Sequence, residues 1–384
     1  MYGENSQTLR VTFQPTNSCN LNCSYCYQNN KGNSKLKLSD AKYFLDKLFQ
    51  NDKAYFNGFL HDDYLNVILD FIGGEATLCI DIIDKIVDYF IENCVKYNKF
   101  HWLANCEIWL QTNGTTYFNP KVLEFIEKHH DRLELPITLD GSKACHDACR
   151  KYYDGRGSYD DVVKAMKHYI STYHVYPNTK ITISPQNIGC LFEAAKAMMD
   201  LGFKRVRLGC VCEDVWEPEH DEIFRQQLQM YYKYVEDNDI DFVMVPYANM
   251  DIYKPGLTCG TCGCYGNMIC LDCTGKLYLC QRFTEICDFA DKPKLSIGTV
   301  QDGITNDGLK VIDEIKKARI KTEQTPGCRD CEIGNSCESC PAFNYEHFGV
   351  LYGIMKANCK KNHIAYQELK EHFLRIKNKK EKVV

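Results

Sequence analysis

The stretch CNLNCSYCY, residues 19–27, decides how the rest of the chain is interpreted. It follows the strand-like run LRVTFQPT and holds three thiols, Cys19, Cys23 and Cys26. A structural zinc ion takes four ligands and a closed shell, and a [4Fe–4S] cube has four irons to be bound. Three thiols in one loop therefore leave one metal position for a ligand from elsewhere, either a distant residue or an exchangeable molecule.

The composition is that of a folded protein with metal sites. The 384 residues are 45% hydrophobic and 25% charged, which is enough for one large domain and a smaller one. A net charge of -5 argues against a nucleic-acid partner held by bulk electrostatics. Because the chain shows neither a secretion signal nor a bilayer-spanning run, we expect a cytoplasmic protein with no membrane partner. In that compartment, 23 cysteines indicate metal or iron–sulfur ligation and not disulfides.

Residues 1–245 alternate between strand-like and helical patterns. Helices are expected after the strands, the first of them with Ser39 as its N-cap. Six strand–helix units in series predict an α/β fold, a partial (β/α)6 TIM-type barrel with right-handed crossovers and ligands at the carboxyl ends of its strands. The strand-like runs begin at Leu9, Leu65, Cys106, Leu133, Lys180 and Lys204, and the later helical runs at Ile80, Asn119, Ser158, Gly189 and Glu219.

The character of the chain changes after Val245. Prolines and glycines appear, helical periodicity fades, and twelve of the cysteines fall between Cys259 and Cys359. We therefore predict two domains, a barrel over residues 1–245 and a small cysteine-rich domain over residues 246–384.

The spacing Cys19-x3-Cys23-x2-Cys26 resembles the signature of the radical S-adenosylmethionine (SAM) superfamily. The resemblance implies a [4Fe–4S] cluster whose open iron is chelated by the amino and carboxylate groups of SAM. It also implies reductive cleavage of SAM to a 5′-deoxyadenosyl radical. Tyr25, inside the loop, is then expected to contact the cofactor. A zinc knuckle with a distant fourth ligand is the alternative that the spacing alone leaves open.

Later segments match the same family in order. FIGGEA, residues 71–76, resembles its GGE motif, although proline is more usual where Ala76 stands. The resemblance places Gly73 and Gly74 where backbone approaches the ligand and pairs Glu75 with the SAM ammonium. LQTNGT and ITLDG end the third and fourth strands and are expected to face the same cofactor through Thr112, Asn113, Thr138 and Asp140.

The segment SKACHDACRKYYDGRGSYDDV, which begins at Ser142, resembles the HDxxR…GxGSYD region of radical SAM enzymes that carry a C-terminal SPASM domain. The resemblance implies that Arg150 holds the carboxylate or ribose of SAM. The alternative for His146, Asp147 and Arg150 is a surface turn joined by salt bridges.

The cysteine-rich region resembles the SPASM arrangement, which holds two auxiliary [4Fe–4S] clusters. Gly275-x4-Cys280 matches its GxxxxC element, but the last close cysteine pair is separated by two residues where three are usual. A pair of zinc ribbons is the alternative. The implied ligands are Cys264, Cys270, Cys280 and Cys340 for the first cluster and Cys328, Cys331, Cys337 and Cys359 for the second, with Cys259, Cys262, Cys273 and Cys287 as substitutes.

The remaining thiols carry no metal-ligand spacing. Cys145 and Cys149 flank the HDxxR turn and stay open. The others lie on predicted strands or helices, where we expect buried small hydrophobic side chains: Cys79, Cys94, Cys106, Cys190, Cys210 and Cys212.

Enzymes of the SPASM branch mostly modify peptides or proteins. Our hypothesis is a radical SAM peptide maturase that forms a thioether cross-link in a cysteine-containing precursor, with the auxiliary clusters as electron acceptors. The sulfatase-maturing branch has an aspartate base where Gln281 stands, and an amide cannot accept a proton at neutral pH, so that activity is disfavoured. No catalytic acid or base is identified from the sequence.

Partners follow from the same resemblance. We expect a precursor peptide with a leader and an electron donor such as flavodoxin or ferredoxin. The leader is expected at the barrel face, at the insert of residues 50–64 or on a separate protein, since few residues precede the first strand. The alternatives are carbon–carbon cross-linking or another peptide modification, sulfatase-maturase-like activity, a small-molecule radical SAM reaction, and a zinc or iron–sulfur binding module without catalysis.

Overall fold

The computed structural model describes residues 7–61, 64–211, 215–245, 263–287, 292–334, 340–353 and 356–381. Strands and helices alternate over its first part, as the hydrophobic pattern predicted. The elements are β1 (Thr8–Phe13), α1 (Leu38–Phe49), β2 (Asn66–Phe71), α2 (Ile80–Lys96), α3 (Phe100–Ala104), β3 (Cys106–Leu110), α4 (Pro120–His129), β4 (Leu133–Glu134), α5 (Lys143–Cys149), α6 (Tyr159–Tyr173), β5 (Lys180–Ile183), α7 (Leu191–Asp200), β6 (Arg205–Cys210), α8 (Pro218–Asp237) and β7 (Val243–Val245).

The strands form a parallel arc. β1 to β4 pair in sequence within one sheet, and β5, β6 and β7 pair in a second. A backbone hydrogen bond from Ile137 N to Asn178 O (3.1 Å) joins the two sheets beyond the end of β4. The predicted α/β partial barrel is confirmed, and β7 is a short seventh strand that the sequence did not predict.

Alternation along each strand separates two faces. In β1, Leu9, Val11 and Phe13 are fully buried in the core beneath the helices, whereas Arg10 and Thr12 point to the opposite, concave face. Burying each large apolar side chain contributes about 1.5–3 kcal/mol, so this outward layer supplies much of the barrel's stability. The concave face carries charged residues such as Arg10 and Asp70, which pair with each other (3.0 Å), beside the apolar Ile68 and Trp109.

Helix α1 carries the predicted apolar stripe, but it begins differently. Its first residue is Leu38 and its N-cap is Lys37, with no side-chain cap hydrogen bond. The Ser39 hydroxyl, expected to cap the helix, instead donates to Asp40 Oδ1 (3.4 Å) within the first turn. The N-cap prediction is therefore wrong; burial, and not capping, fixes this helix. The buried stripe consists of Ala41, Phe44, Leu45, Leu48 and Phe49.

The cysteine-rich part of the chain continues the barrel's own sheet. Its first strand lies parallel to β1 with Thr12 beside Cys270, and the strands after it pair antiparallel to give the order β11-β10-β9-β8-β1-β2-β3-β4. The domain boundary after residue 245 stays a prediction. The elements are β8 (Met268–Leu271), β9 (Lys276–Tyr278), β10 (Gly298–Thr299), β11 (Gly303–Ile304), α9 (Asn306–Glu323), α10 (Pro341–Phe348) and α11 (Lys356–Glu381).

The insert between α1 and β2 ties these two parts together. The Tyr55 hydroxyl donates to Val300 O (2.9 Å), and Ile304 N donates to Tyr55 O (2.8 Å). Gly303 makes this possible, because a Cβ there would lie 2.1 Å from Tyr55 O. The described part of the insert thus has a packing role, and its expected role in leader binding stays a prediction. No helix in the described ranges is both long and apolar enough to cross a membrane.

Candidate cluster and cofactor site

The three-cysteine loop follows β1 and is fastened to the HDxxR segment. Asn22 N donates to Lys151 O (2.7 Å), and Ser24 N donates to Cys149 O (2.9 Å). The thiols of Cys19, Cys23 and Cys26 are half-buried.

The electrostatics of this loop oppose free thiolates. Burial, helped by the charge of Glu75, raises the pKa of Cys19 to about 11, and burial also raises the pKa of Cys23. Metal ligation requires the thiolate form. A cation bound at the loop would supply the charge that stabilises it, so the donor set fits an iron–sulfur cluster.

The GGE motif contacts the cysteine loop through its backbone. Gly74 N donates to Thr16 O (3.0 Å) and Glu75 N donates to Ser18 O (2.8 Å). A Cβ on Gly73 would lie 2.3 Å from Thr16 O, and one on Gly74 would lie 2.0 Å from Ser18 O. The close approach that requires glycine is therefore to the loop that carries the cysteines. The approach of the Gly73 and Gly74 backbone to a bound ligand stays a prediction.

Glu75 joins the ends of β2 and β3. It is 2% exposed, and its carboxylate accepts hydrogen bonds from Thr112 Oγ1 (2.7 Å), Asn113 N (2.7 Å) and Thr77 Oγ1 (2.5 Å). Burial raises its pKa, and the hydrogen bonds act in the opposite direction. Both carboxylate oxygens thus have partners within the protein. A SAM ammonium that pairs with Glu75 would be a further partner of the same carboxylate.

Asn113 brings the end of β3 to the cluster loop. Its Nδ2 donates to Asn20 Oδ1 (2.9 Å) and lies 4.0 Å from Cys19 Sγ. Thr138, the next predicted cofactor residue, donates its backbone N–H to Thr112 O (3.2 Å) and is half-buried. The structure therefore places the predicted residues of β3 and of the segment after β4 at one mouth.

The half-buried Tyr25 and the buried Asp140 and Arg150 form one hydrogen-bonded unit. The Tyr25 hydroxyl makes a short hydrogen bond to Asp140 Oδ2, and Arg150 Nη1 donates to Tyr25 Oη (2.9 Å). Asp140 Oδ1 accepts from Thr182 N (2.8 Å). Burial raises the pKa of Asp140, while the Arg150 guanidinium lowers it.

Arg150 carries a further hydrogen-bond donor that is available to a ligand. It is 8% exposed, and its buried Nε has no hydrogen-bond partner among the residues that the structure describes. Buried polar groups normally have partners, so such an atom fits a site that receives an anionic group. This orphan donor beside the cysteine loop is consistent with the carboxylate of a SAM molecule.

His146 and Asp147 of the same motif have structural contacts. His146 Nδ1 accepts from Asp140 N (3.3 Å), and its Nε2 lies 2.9 Å from Ser158 Oγ. Burial lowers the pKa of His146 to about 2, so the ring is neutral. Asp147 Oδ1 accepts from Tyr159 N (2.9 Å). The surface salt-bridge alternative is wrong for His146 and Arg150, which are buried.

The first auxiliary ligand set gathers around β8 and β9. Cys264 and Cys270 are buried, and Cys280 and Cys340 are half-buried. Burial raises the pKa of Cys270, and the charges of Cys280 and Cys287 raise it further. Cys287, predicted only as a substitute, therefore shares the neighbourhood of Cys270 and Cys280.

Tyr27 connects this neighbourhood with the first loop. Burial raises its pKa, and the charges of Cys287, Cys26 and Cys280 act on it too. The Arg282 guanidinium lies over its ring, 4.2 Å from the centroid. Tyr27 directly follows Cys26, but it was not predicted as a site residue.

The second auxiliary ligand set brings together distant parts of the chain. Burial and the charges of Cys359 and Cys331 raise the pKa of Cys328, so these three thiols are neighbours. Cys337, the fourth predicted ligand, lies outside the described residues, as do Cys212, Cys259 and Cys262. His363 Nε2 lies 3.6 Å from Cys331 Sγ and was not predicted.

Among the remaining described thiols, the prediction of burial is wrong for two and confirmed for Cys79, Cys94 and Cys106. Cys190 and Cys210 are half-buried. The buried ones are Cys79, Cys94, Cys106, Cys145 and Cys149.

Comparison with known proteins gives several relatives. No protein-family model matches the chain. An uncharacterized protein of Methanocaldococcus jannaschii is 31% identical over 50% of this chain and 58% of its own length. The subtilosin biosynthesis protein AlbA of Bacillus subtilis is 23% identical over 66% of this chain and 51% of its own. Mycofactocin maturase MftC of Mycolicibacterium smegmatis is 26% identical over 85% and 76%. The chain thus spans between half and three fifths of the first two relatives.

Solved structures share the fold. The enzyme anSMEcpe with bound AdoMet and a Cp18Cys peptide superposes with a TM-score of 0.67 at 17% identity, covering 97% of this chain and 99% of that one. Streptococcus suis SuiB bound to the precursor peptide SuiA gives 0.55 at 13% identity, with 92% and 76% covered. The predicted resemblance to SPASM-type radical SAM maturases is confirmed by these relatives and this fold.

Proposed function

We propose that this chain binds a SAM-anchoring [4Fe–4S] cluster and modifies a peptide, forming a thioether cross-link, because its relatives include maturases of the radical SAM type. When bound, such a cluster coordinates SAM through its vacant iron and supplies the electron that cleaves it. The observation that carries the proposal is the unit of Tyr25, Asp140 and Arg150, with its orphan Arg150 Nε beside the cysteine loop.

Different residues of the protein would bind the cluster and SAM. Cys19, Cys23 and Cys26 would ligate the first cluster. Arg150 would bind the SAM carboxylate or ribose, and Asp140 and Tyr25 would hold the guanidinium in place. Gly73, Gly74, Glu75, Thr112, Asn113 and Thr138 would shape the remaining wall of the cofactor pocket.

Two auxiliary clusters complete the proposed cofactor set. Their ligands would be the neighbouring thiols around Cys270 and Cys280 and those around Cys328, Cys331 and Cys359. An external donor of single electrons, of the flavodoxin or ferredoxin kind, would reduce the first cluster. The half-buried Tyr27 lies between the first loop and the nearer auxiliary thiols.

The proposed reaction balances as an oxidation of the peptide. A substrate carbon would lose a hydrogen atom to the radical that SAM supplies, and a substrate thiol would lose a proton to solvent or a basic side chain. The sulfur would then bond to that carbon, and one electron would leave the substrate for an auxiliary cluster. The product is lighter than the peptide by a pair of hydrogens.

A peptide substrate fits the concave face. In β6, Val206 and Leu208 are buried in the core, so Arg205 and Arg207 occupy the opposite face of the strand, where both are exposed. No ion pair or hydrogen bond engages either guanidinium in the described part of the chain. The concave face thus offers two cations to a substrate. A peptide substrate is also supported by the relatives AlbA, a bacteriocin biosynthesis protein, and MftC, a mycofactocin maturase.

Sulfatase-type maturation is the second candidate. It is favoured by a structural likeness to anSMEcpe that covers nearly the whole chain. Gln281 opposes it, because its amide follows Cys280 and its Oε1 accepts from the Cys280 thiol (3.3 Å), with no carboxylate there to take a proton.

The proposal is tested by incubating the anaerobically reconstituted protein with SAM, a reductant and candidate peptides from neighbouring reading frames. We expect 5′-deoxyadenosine together with a cysteine-containing peptide that has lost a hydrogen pair and one free thiol. Cys23→Ala should abolish both products, whereas Cys190→Ala, at a half-buried thiol outside the clusters, should retain them. Formation of 5′-deoxyadenosine with every peptide unchanged would refute the peptide substrate; absence of 5′-deoxyadenosine would refute the enzyme class.

A further inference from the structure

A histidine lies against the second auxiliary ligand set. His363 Nε2 is 3.6 Å from Cys331 Sγ. His363 belongs to helix α11, four residues after Cys359, so the two side chains share one face of the helix one turn apart. The thiols of Cys328, Cys331 and Cys359 are neighbours, so the imidazole sits at the edge of this group.

The distance distinguishes two possible roles for the imidazole. Two ligands of one [4Fe–4S] cube bind different irons and diverge from its centre, so they do not contact each other. A separation of 3.6 Å between nitrogen and sulfur instead fits an N–H···S hydrogen bond. In this arrangement the Cys331 thiolate accepts the hydrogen bond and is itself the iron ligand, and the imidazole does not bind the iron.

We infer that His363 donates its Nε2–H to the Cys331 thiolate and thereby raises the reduction potential of the second auxiliary cluster. The inference rests on the ligand set given under the proposed function. A donor to a cluster sulfur draws negative charge from the cluster and favours its reduced form. His363 is a positioning and tuning residue, because it acts through Cys331, and it would make this cluster a better acceptor of the substrate's electron.

The test uses the full-length reconstituted protein without SAM or peptide. Reductive titration followed by electron paramagnetic resonance reports the midpoint potential of each cluster. We expect His363→Leu to lower the potential of one cluster only, with iron content unchanged. His363→Gln, whose amide retains an N–H donor, should give a smaller shift, and Glu371→Gln, at an exposed position of the same helix, should give none.

A second readout detects the imidazole nitrogen directly. With histidine labelled with ¹⁵N, pulsed magnetic resonance on the reduced wild-type protein should show a weak nitrogen coupling that disappears in His363→Gln. A strong coupling, or loss of iron from both His363 variants, would make the imidazole a ligand and overturn the inference. An unshifted potential in His363→Leu would also overturn it. A wild-type protein with no second auxiliary cluster would refute the ligand set itself, whether or not SAM is cleaved.

Discussion

Arg150 Nη1 donates to the Tyr25 hydroxyl at 2.9 Å, so the arginine of the HDxxR segment and the tyrosine of the cysteine loop form one hydrogen-bonded unit. Asp140 accepts from the same hydroxyl and completes it. The loop that would carry the first cluster and the side chain that would bind SAM are therefore positioned by each other.

Replacing Arg150 by lysine should weaken SAM binding. Lysine keeps the charge beside Asp140 but loses the Nε donor and the planar fork. A hydrogen bond to a charged group contributes about 1.5–3 kcal/mol, equivalent to roughly 10–150-fold in affinity. Equilibrium binding of SAM to the reconstituted protein measures the loss. Arg156→Lys, at an exposed arginine of the same segment, should bind SAM normally. Equal affinity in Arg150→Lys and wild type would remove Arg150 from the cofactor site.

Replacing Gly74 by alanine should release the first cluster. The new Cβ would lie 2.0 Å from Ser18 O, and because both groups belong to the backbone, the cysteine loop must move. We expect a loss of about four of about twelve irons per chain, the content of one cube. Gly189→Ala is the matched control, because its Cβ meets nothing within 4 Å. Full iron content and normal SAM cleavage in Gly74→Ala would contradict this packing.

His146 should make the protein sensitive to acid. Its folded pKa is lowered to about 2 from the ordinary 6.5, so below pH 6.5 the unfolded chain binds a proton that the folded chain does not. This contribution to stability is complete above pH 6.5 and falls as the pH drops, by about 1.4 kcal/mol for each pH unit.

The measurement is the change in unfolding free energy between pH 7.5 and pH 5.5 for wild type and His146→Gln. The wild type should lose about 1–2 kcal/mol more than the variant over this interval. His168→Gln, at an exposed histidine of helix α6, serves as control and should lose as much as wild type. An identical loss in His146→Gln would show that His146 does not stay neutral in the fold.

Arg205 and Arg207 should contribute to peptide recognition. Replacing both by glutamine removes two cations that have no ion-pair partner among the described residues, so peptide modification should slow and lose its dependence on salt. Cleavage of SAM without peptide should be unchanged. Lys85→Gln combined with Lys167→Gln changes the net charge equally on exposed helical positions and should leave modification intact. Equal rates in both double variants would exclude the β6 arginines from the substrate path.

The sequence predicted those features of the fold that depend on residues close together in the chain. The six strands and the α1 stripe follow from periodicity, because each buries one face against helices. The pairing of β8 with β1 could not be predicted, since it joins residues far apart in sequence through backbone hydrogen bonds that carry no side-chain pattern.

Some features of the candidate site are likewise visible in the local sequence, and others depend on contacts between distant segments. Cys19, Cys23 and Cys26 are read directly from spacing, because three thiols in one loop imply one metal site. The neutral state of His146 depends on burial by distant segments, and so does the proximity of Cys287 to Cys270. The spacing of Cys359 and His363 was a signal in the sequence, but it becomes meaningful only when α11 is known to be a helix.

The central claim is a vacant iron position at the Cys19 loop. Its most direct measurement is the electron paramagnetic resonance spectrum of a Cys328→Ala, Cys331→Ala, Cys280→Ala variant, reduced anaerobically with and without SAM. We predict a reduced [4Fe–4S] signal that SAM shifts, with 5′-deoxyadenosine formed in the same sample. A signal identical in both samples and no 5′-deoxyadenosine, or bound zinc in place of iron, would contradict the account.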